Sequence, residues 1–475
     1  MASSPLEARR ARLLTGPVAP TLFALSWPMA VGLFAVIAIN VTDTFYLGRL
    51  GPDQLSAIGY CFPVIFGLSA VSVGMGNGAA AVVSRALGAG EADRARMLTA
   101  NTGLFVLLCA VLLAGLMLVA SDTVFSSWLG TPDRLMVHVR AYMHVWYLGL
   151  PFLILPIVLN GLVRASGETF VPSALMVLAA AINAGLSPLL VFGLAGLPAM
   201  GMAGAAWATI AARGVIAAMA VAYLWRQDLI AVNAKVLRGF PACVREVLGY
   251  GGPAFLAQLA SPVGTGVVTR LLSEEGPEVV GAFAVGARME ALALIPLFAL
   301  QSGVAPLIGQ NVGAGRLDRL RRTERVLAGF ALGWGALVGA ALFAFGGDLG
   351  ALFTDDPAIA ALTDHYLEVT CWGYVGAGML FLAIGVFNPL GYPNLAMALN
   401  VSRYLVLYAG LAAVAASGVV PWFSGVGGIF AAAPVSFALA GLLSAGLVHV
   451  LLDHPRRTGA PRAPAGPRPI PRASV

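Results

Sequence analysis

Residues 84–96 read SRALGAGEADRAR, and residues 309–321 read GQNVGAGRLDRLR. At a constant offset of 225 residues, Gly88, Ala89, Gly90, Asp93, Arg94 and Arg96 recur as Gly313, Ala314, Gly315, Asp318, Arg319 and Arg321. Six matches in the same relative place of each half mark an internal repeat. Each copy joins two long apolar stretches. A helix that crosses a bilayer needs roughly 20 apolar residues, and twelve such stretches stand at about 17–47, 55–80, 97–120, 139–163, 171–195, 201–224, 249–272, 279–306, 326–346, 362–387, 394–417 and 425–451. The loops that carry the repeat are the second and the eighth, so both fall on one side of the membrane. This predicts an all-α polytopic membrane protein, twelve transmembrane helices in two pseudo-twofold six-helix lobes facing a shared cleft. The expected units are a leader over residues 1–16, an N-terminal lobe over 17–225, a linker over 226–248, a C-terminal lobe over 249–451 and a disordered tail over 452–475.

Composition agrees. Of the 475 residues 59% are hydrophobic and 11% charged, and the mean hydropathy of +0.87 leaves too much apolar surface for a water-soluble chain. The net charge of +6 does not indicate nucleic acid, because the arginines and lysines concentrate in alternate loops: Arg85/Arg94/Arg96, Arg226/Lys235/Arg238/Arg245, Arg316 to Arg325 and the tail after His454. The opposite loops carry Asp122, Asp133, Glu274, Glu275, Glu278, Asp348, Asp355 and Asp356. This asymmetry places both termini in the cytoplasm and the chain in a bacterial-type inner membrane, with lipids as its neighbours. Arg9, Arg10 and Arg12 precede a long apolar run without a small-residue cleavage pattern, which reads as a retained leader. Cys61, Cys109, Cys243 and Cys371 are far apart and suggest neither disulfide nor metal use. No phosphate loop, zinc-protease motif or nucleophile elbow is found, so no cofactor is expected and work would come from an ion gradient, H+ or Na+.

An ionisable group inside a span is costly unless it faces a cavity or partner. Asp43 is such a group, in Leu22–Leu50, with Asn40, Thr42 and Thr44 around it and Pro28 fifteen residues earlier as a candidate hinge. Asn183 and Ser187 in the fifth span and Thr209 in the sixth could complete a polar pocket with it. In the second half, Gln258, Ser261, Arg288 and Glu290 form a possible polar site, Arg288 and Glu290 pointing to different sides of their helix. Tyr142, His144, Trp146 and Tyr147 read as an interface belt.

These features resemble the multidrug and toxic compound extrusion (MATE) transporters. The resemblance runs from Ser26-Trp27-Pro28 to the twelfth span, through Val41-Thr42-Asp43-Thr44, Gly48-Arg49-Leu50-Gly51, the Asn183–Pro188 stretch, Gly201–Thr209 and Arg288-Met289-Glu290. It implies a two-lobe antiporter, not an enzyme, that exports amphipathic, drug-like and often cationic compounds in exchange for H+ or Na+. A monomer is expected, and Asp43, an acid in a poorly hydrated pocket, suits H+ better than Na+. Asp43 matches the family's first-helix carboxylate, Pro28 the proline that bends with protonation in some members, and Asn183 and Thr209 the carboxylate's polar partners. Ser261 and about Ala377 stand where NorM-like members carry acids, and Ser187 where DinF-like members often have Asp; the pattern is closer to the DinF-like branch. A flippase of lipids or lipid-linked oligosaccharides is the alternative within the superfamily. An integral membrane enzyme acting on lipids is a more distant one, since it would need a clustered set of acids or a His/Asp/Cys group at the membrane surface.

Overall fold

A backbone in an apolar medium must satisfy its own hydrogen bonds, and the apolar runs of this chain do so as helices. The computed structural model describes residues 5–230, 239–352 and 356–453. Lys235, Arg238, Asp355 and the tail from residue 454 lie outside them, with part of the expected linker and leader. The first half comprises α1 (Pro5–Thr15), α2 (Val18–Leu50), α3 (Pro52–Ala89), α4 (Ala92–Asp122), α5 (Asp133–Leu148), α6 (Leu150–Ala165), α7 (Phe170–Phe192) and α8 (Met202–Arg226). The second comprises α9 (Phe240–Ser273), α10 (Pro277–Gly313), α11 (Leu317–Phe345), α12 (Pro357–Thr370), α13 (Tyr374–Leu390), α14 (Pro393–Val401), α15 (Ala409–Ser417) and α16 (Gly425–Asp453). Among the described residues eleven helical stretches are long and apolar enough to cross a membrane, and α5 with α6, bent by 53°, makes a twelfth span.

Two elements differ from the sequence reading. The stretch expected as one helix over 139–163 is broken at Gly149, because Pro151 in the first turn of α6 lacks the N–H that would continue α5. A side chain at Gly149 would run into Ile210, so the break is also a close approach to α8. The second half interrupts its equivalent span with a tight turn at Cys371–Gly373. The other is α9, which begins at Phe240, within the stretch expected as linker.

The structure gives the repeated glycines separate roles. Gly90 and Gly315 adopt left-handed φ values of 81° and 69°, ending α3 and α10. In both turns the second glycine donates to the third carbonyl before it (Leu87, Val312), and the next residue closes a wider bond (Glu91 N–H to Ala86, Arg316 N–H to Asn311). Gly88 and Gly313 instead let the halves touch: a Cβ on Gly88 would fall on the backbone of Gln310, and one on Gly313 on the carbonyl of Arg85. Gly309 lies equally close to Ser84, Gly303 to Ser26, and Gly78 to Gly251. The lobes therefore meet through side-chain-free surfaces toward the end that carries the two repeat loops.

α1 straps this end across both halves. Arg10 donates to the Gly88 carbonyl (2.8 Å), Arg9 lies 3.5 Å from the Glu168 carboxylate, and the Leu13 carbonyl accepts from Asn311 and Arg319, each at 3.1 Å. Leu13 is 2% exposed, and with Val18, Leu22 and Leu25 it joins the core of the second half, not of the first. Truncating a buried leucine typically costs about 2–5 kcal/mol, so Leu13→Ala should lower the thermal unfolding midpoint of the purified protein clearly. An unchanged midpoint would mean that the strap is not coupled to the lobes.

Candidate functional site

Three helices of the first half bring four of the expected polar residues together. α2 supplies Asp43, α7 supplies Asn183 and Ser187 one turn apart on one face, and α8 supplies Thr209. Ser187 Oγ donates to Asp43 Oδ1 and Thr209 Oγ1 to Asp43 Oδ2, each at 3.3 Å, while Asn183 Nδ2 donates to Thr209 Oγ1 at 3.0 Å. Ser187 is 0% exposed and Asn183 1%, so the carboxylate's partners are withdrawn from lipid and bulk water, while Asp43 itself is partly buried. Every hydroxyl here donates toward the carboxylate, the arrangement that suits ionised Asp43. Asn183 Oδ1 is buried without a hydrogen-bond partner. Pro28 is buried inside the same continuous helix as Asp43.

One member of the site escaped the sequence reading. Arg213 lies four residues past Thr209 on α8, hence on the same face, and its charge acts on Asp43. The only signal for it was an arginine within an apolar span. The aromatic group near this cluster is corrected: Tyr142, Trp146 and Tyr147 are buried in the core of the first half and only His144 is exposed, because these three share the inward face of α5.

The expected polar site of the second half does not form as one group. Glu290 accepts a 2.8 Å hydrogen bond from Tyr366 and feels the charge of Arg403, which sequence reasoning also missed. Arg403 is 2% exposed, sits in a π-helical turn over Ser402–Tyr408, and stacks on Phe437 at 3.6 Å and Tyr404 at 4.1 Å. Arg288 is exposed on the other side of α10, as two residues of a helix must point apart. Gln258 faces the gap between the lobes, and Ser261 lines neither place. At the repeat offset Asp43 falls on Val268 and Asn183 on Tyr408, so the polar cluster of the first half has no copy. Glu290→Gln should therefore lower thermal stability, by leaving Arg403 a buried charge with less compensation, before it alters any ion dependence. A variant of normal stability that had lost ion-coupled transport would move the ion site to this lobe.

Between the lobes lies a cavity of about 320 Å³, lined by α2, α3, α6 and α7 on one side and α9, α10, α13 and α14 on the other. Asp43 does not line it.

The MatE family model matches this chain twice, at residues 28–189 and 253–414, two segments separated by the same 225 residues as the loop repeat. The chain is similar to a protein of Shewanella oneidensis named FAD transporter, 29% identical over 90% of this chain and 94% of the relative. It is similar to the multidrug export protein MepA of Staphylococcus aureus, 26% identical over 79% of this chain and 82% of the relative. Among solved structures, the Vibrio cholerae MATE transporter VcmN in its bent form superposes with a TM-score of 0.84 at 25% identity, over 94% of this chain and 98% of that one.

Proposed function

Because this chain belongs to the MatE family of membrane transporters, we propose that it exports an amphipathic organic compound by alternating access, in exchange for a proton carried by Asp43. The observation that carries the reading is the cluster itself: one carboxylate held by Ser187 and Thr209, with Asn183 behind them. Protonating Asp43 makes one of its oxygens a donor and a weaker acceptor, which loosens the hydroxyl contact on that side and gives the carboxyl a proton to place. The buried Asn183 Oδ1 is an acceptor available to that rearranged network. α2 carries the change past Pro28, where the missing N–H frees a carbonyl and lowers the resistance to bending.

Five oxygens of these residues could also surround Na+. Arg213 does not choose between the two ions, because its charge stabilises the ionised carboxylate and so opposes the arrival of a proton and of a metal ion alike. A ligand shifts a conformational equilibrium only through its differential affinity for the two states, so the proton and the cargo need only favour opposite openings of the cleft. Cargo of two kinds is supported by similarity, drugs through the multidrug exporter and a flavin nucleotide through the FAD transporter. Lipid flipping is disfavoured, since among the described residues Arg164 is the one charged residue lining the cavity and Arg288, the deep basic residue expected for such a role, is exposed. In proteoliposomes with each gradient imposed separately, the expected result is ethidium or FMN transport driven by a pH gradient and unresponsive to sodium. Sodium-driven transport indifferent to pH would replace the proton by the metal ion.

A further inference from the structure

We propose that the cavity between the lobes is an anion site: Arg164 receives the phosphate or carboxylate of an amphipathic organic anion whose flat body lies against Phe298 and Phe381. The inference rests on the export reading only in taking this cavity as the cargo's path. Among the described residues that line the cavity, Arg164 is the single charged one and there is no Asp or Glu. Arg164 has no hydrogen bond or ion pair among the described residues. The acid four residues on, Glu168, is engaged elsewhere: it lies 3.5 Å from Arg9 and accepts from the Phe170 N–H at 2.9 Å. An uncompensated guanidinium in a cavity walled by low-dielectric protein is costly, and an anion that bonds it relieves that cost.

The rest of the lining fits the same ligand. Asn77, Gln258, Gln301, Asn388 and Asn400 bring amide groups that can donate to anionic oxygens, while Asn400 is partly used by the Ala257 carbonyl at 3.1 Å. Phe298 and Phe381 stand 4.6 Å apart between ring centroids, an apolar wall for a planar ring system. A cationic cargo would meet Arg164 without a carboxylate to offset it, because Asp43 belongs to the separate cluster of the first half. On this proposal the cargo is an anion, where the sequence reading expected a cation. Arg164 also adjoins the lobe contact: the carbonyl of its neighbour Ala165 accepts from Gln310 Nε2 across the interface at 2.9 Å. An anion seated there is placed to sense whether the lobes are closed at this end.

FMN and riboflavin share a fluorescent ring system and differ by one phosphate, so they isolate the charge. Binding to the purified full chain, followed by flavin fluorescence anisotropy, should be about tenfold or more tighter for FMN, the scale of a charge-assisted contact. Arg164→Gln should erase that preference and leave riboflavin binding intact, and Arg164→Lys should keep part of it. Wild type that binds FMN no more tightly than riboflavin overturns the proposal, as does a preference that survives in Arg164→Gln. Tighter ethidium binding in Arg164→Gln without FMN binding in wild type would assign the cavity to cations. Transport of ethidium driven by a pH gradient, without FMN preference, would leave the export reading standing and remove only this site. FMN preference without any gradient-driven transport would do the reverse.

Discussion

Asp43→Asn should retain the fold and reduce gradient-driven transport to the leak rate, a loss of more than about tenfold, or about 1.4 kcal/mol or more of coupling. The amide is isosteric and still accepts from Ser187 or Thr209, so the packing of α2 against α7 and α8 has no reason to fail. What it cannot do is exchange a proton. Cargo binding to the cavity should persist, because Asp43 does not line it. The paired readouts are cargo binding and transport in proteoliposomes under an imposed pH gradient. Transport by Asp43→Asn at the wild-type rate would take Asp43 out of the mechanism.

The second large effect belongs to the lobe contact. Gly88→Val puts a branched side chain onto the backbone of Gln310, an atom set that cannot rotate away as a side-chain tip could. Overpacking of this kind costs about 1–3 kcal/mol, enough to shift a closed and open pair of states by about fivefold to more than a hundredfold. The closed arrangement at the repeat-loop end should be lost while each lobe stays folded. Asn388→Cys, in a background without other cysteines, then reports the change: its thiol should become reactive from the Gly88 side of the membrane, and transport should fall. Gly103→Ala, where a Cβ meets nothing within 4 Å, serves as the control and should behave as wild type. Equal reactivity in Gly88→Val and wild type would mean that the lobes do not need this approach.

The fold was readable because its two strongest signals are local. Apolar runs announce spans wherever they occur, and the Gly-Ala-Gly loop recurs intact because its glycines do work that no other residue can do, one crossing between lobes and one turning left-handed. The break at Gly149 is also local in origin, but prolines are common in spans and do not say whether a helix bends, so only the packing against Ile210 reveals it. Asp43 stood out as an acid in an apolar run. Its partners were harder to place, since Thr209 lies 166 residues away in sequence and the pairing depends on how α7 and α8 fall against α2.

The arginines show where sequence reasoning stops. Arg288 and Arg403 both lie within spans, yet one is exposed and the other is stacked among aromatic rings beside Glu290. Position along a helix does not tell which way a side chain faces once the apolar residues surround it on every side. Arg164 and Arg213 were hidden for the same reason, and each takes its meaning from groups on other helices: the empty charge balance of the cavity for one, Asp43 for the other.

Asp43 is proposed as the group that takes up and releases the coupling proton. Infrared difference spectra of the purified protein between mildly acidic and mildly alkaline solution would observe that event directly, through the C=O stretch of a protonated carboxylic acid. A band present in wild type and in Glu290→Gln and absent in Asp43→Asn is the predicted result; a band that survives in Asp43→Asn and disappears in Glu290→Gln would contradict it.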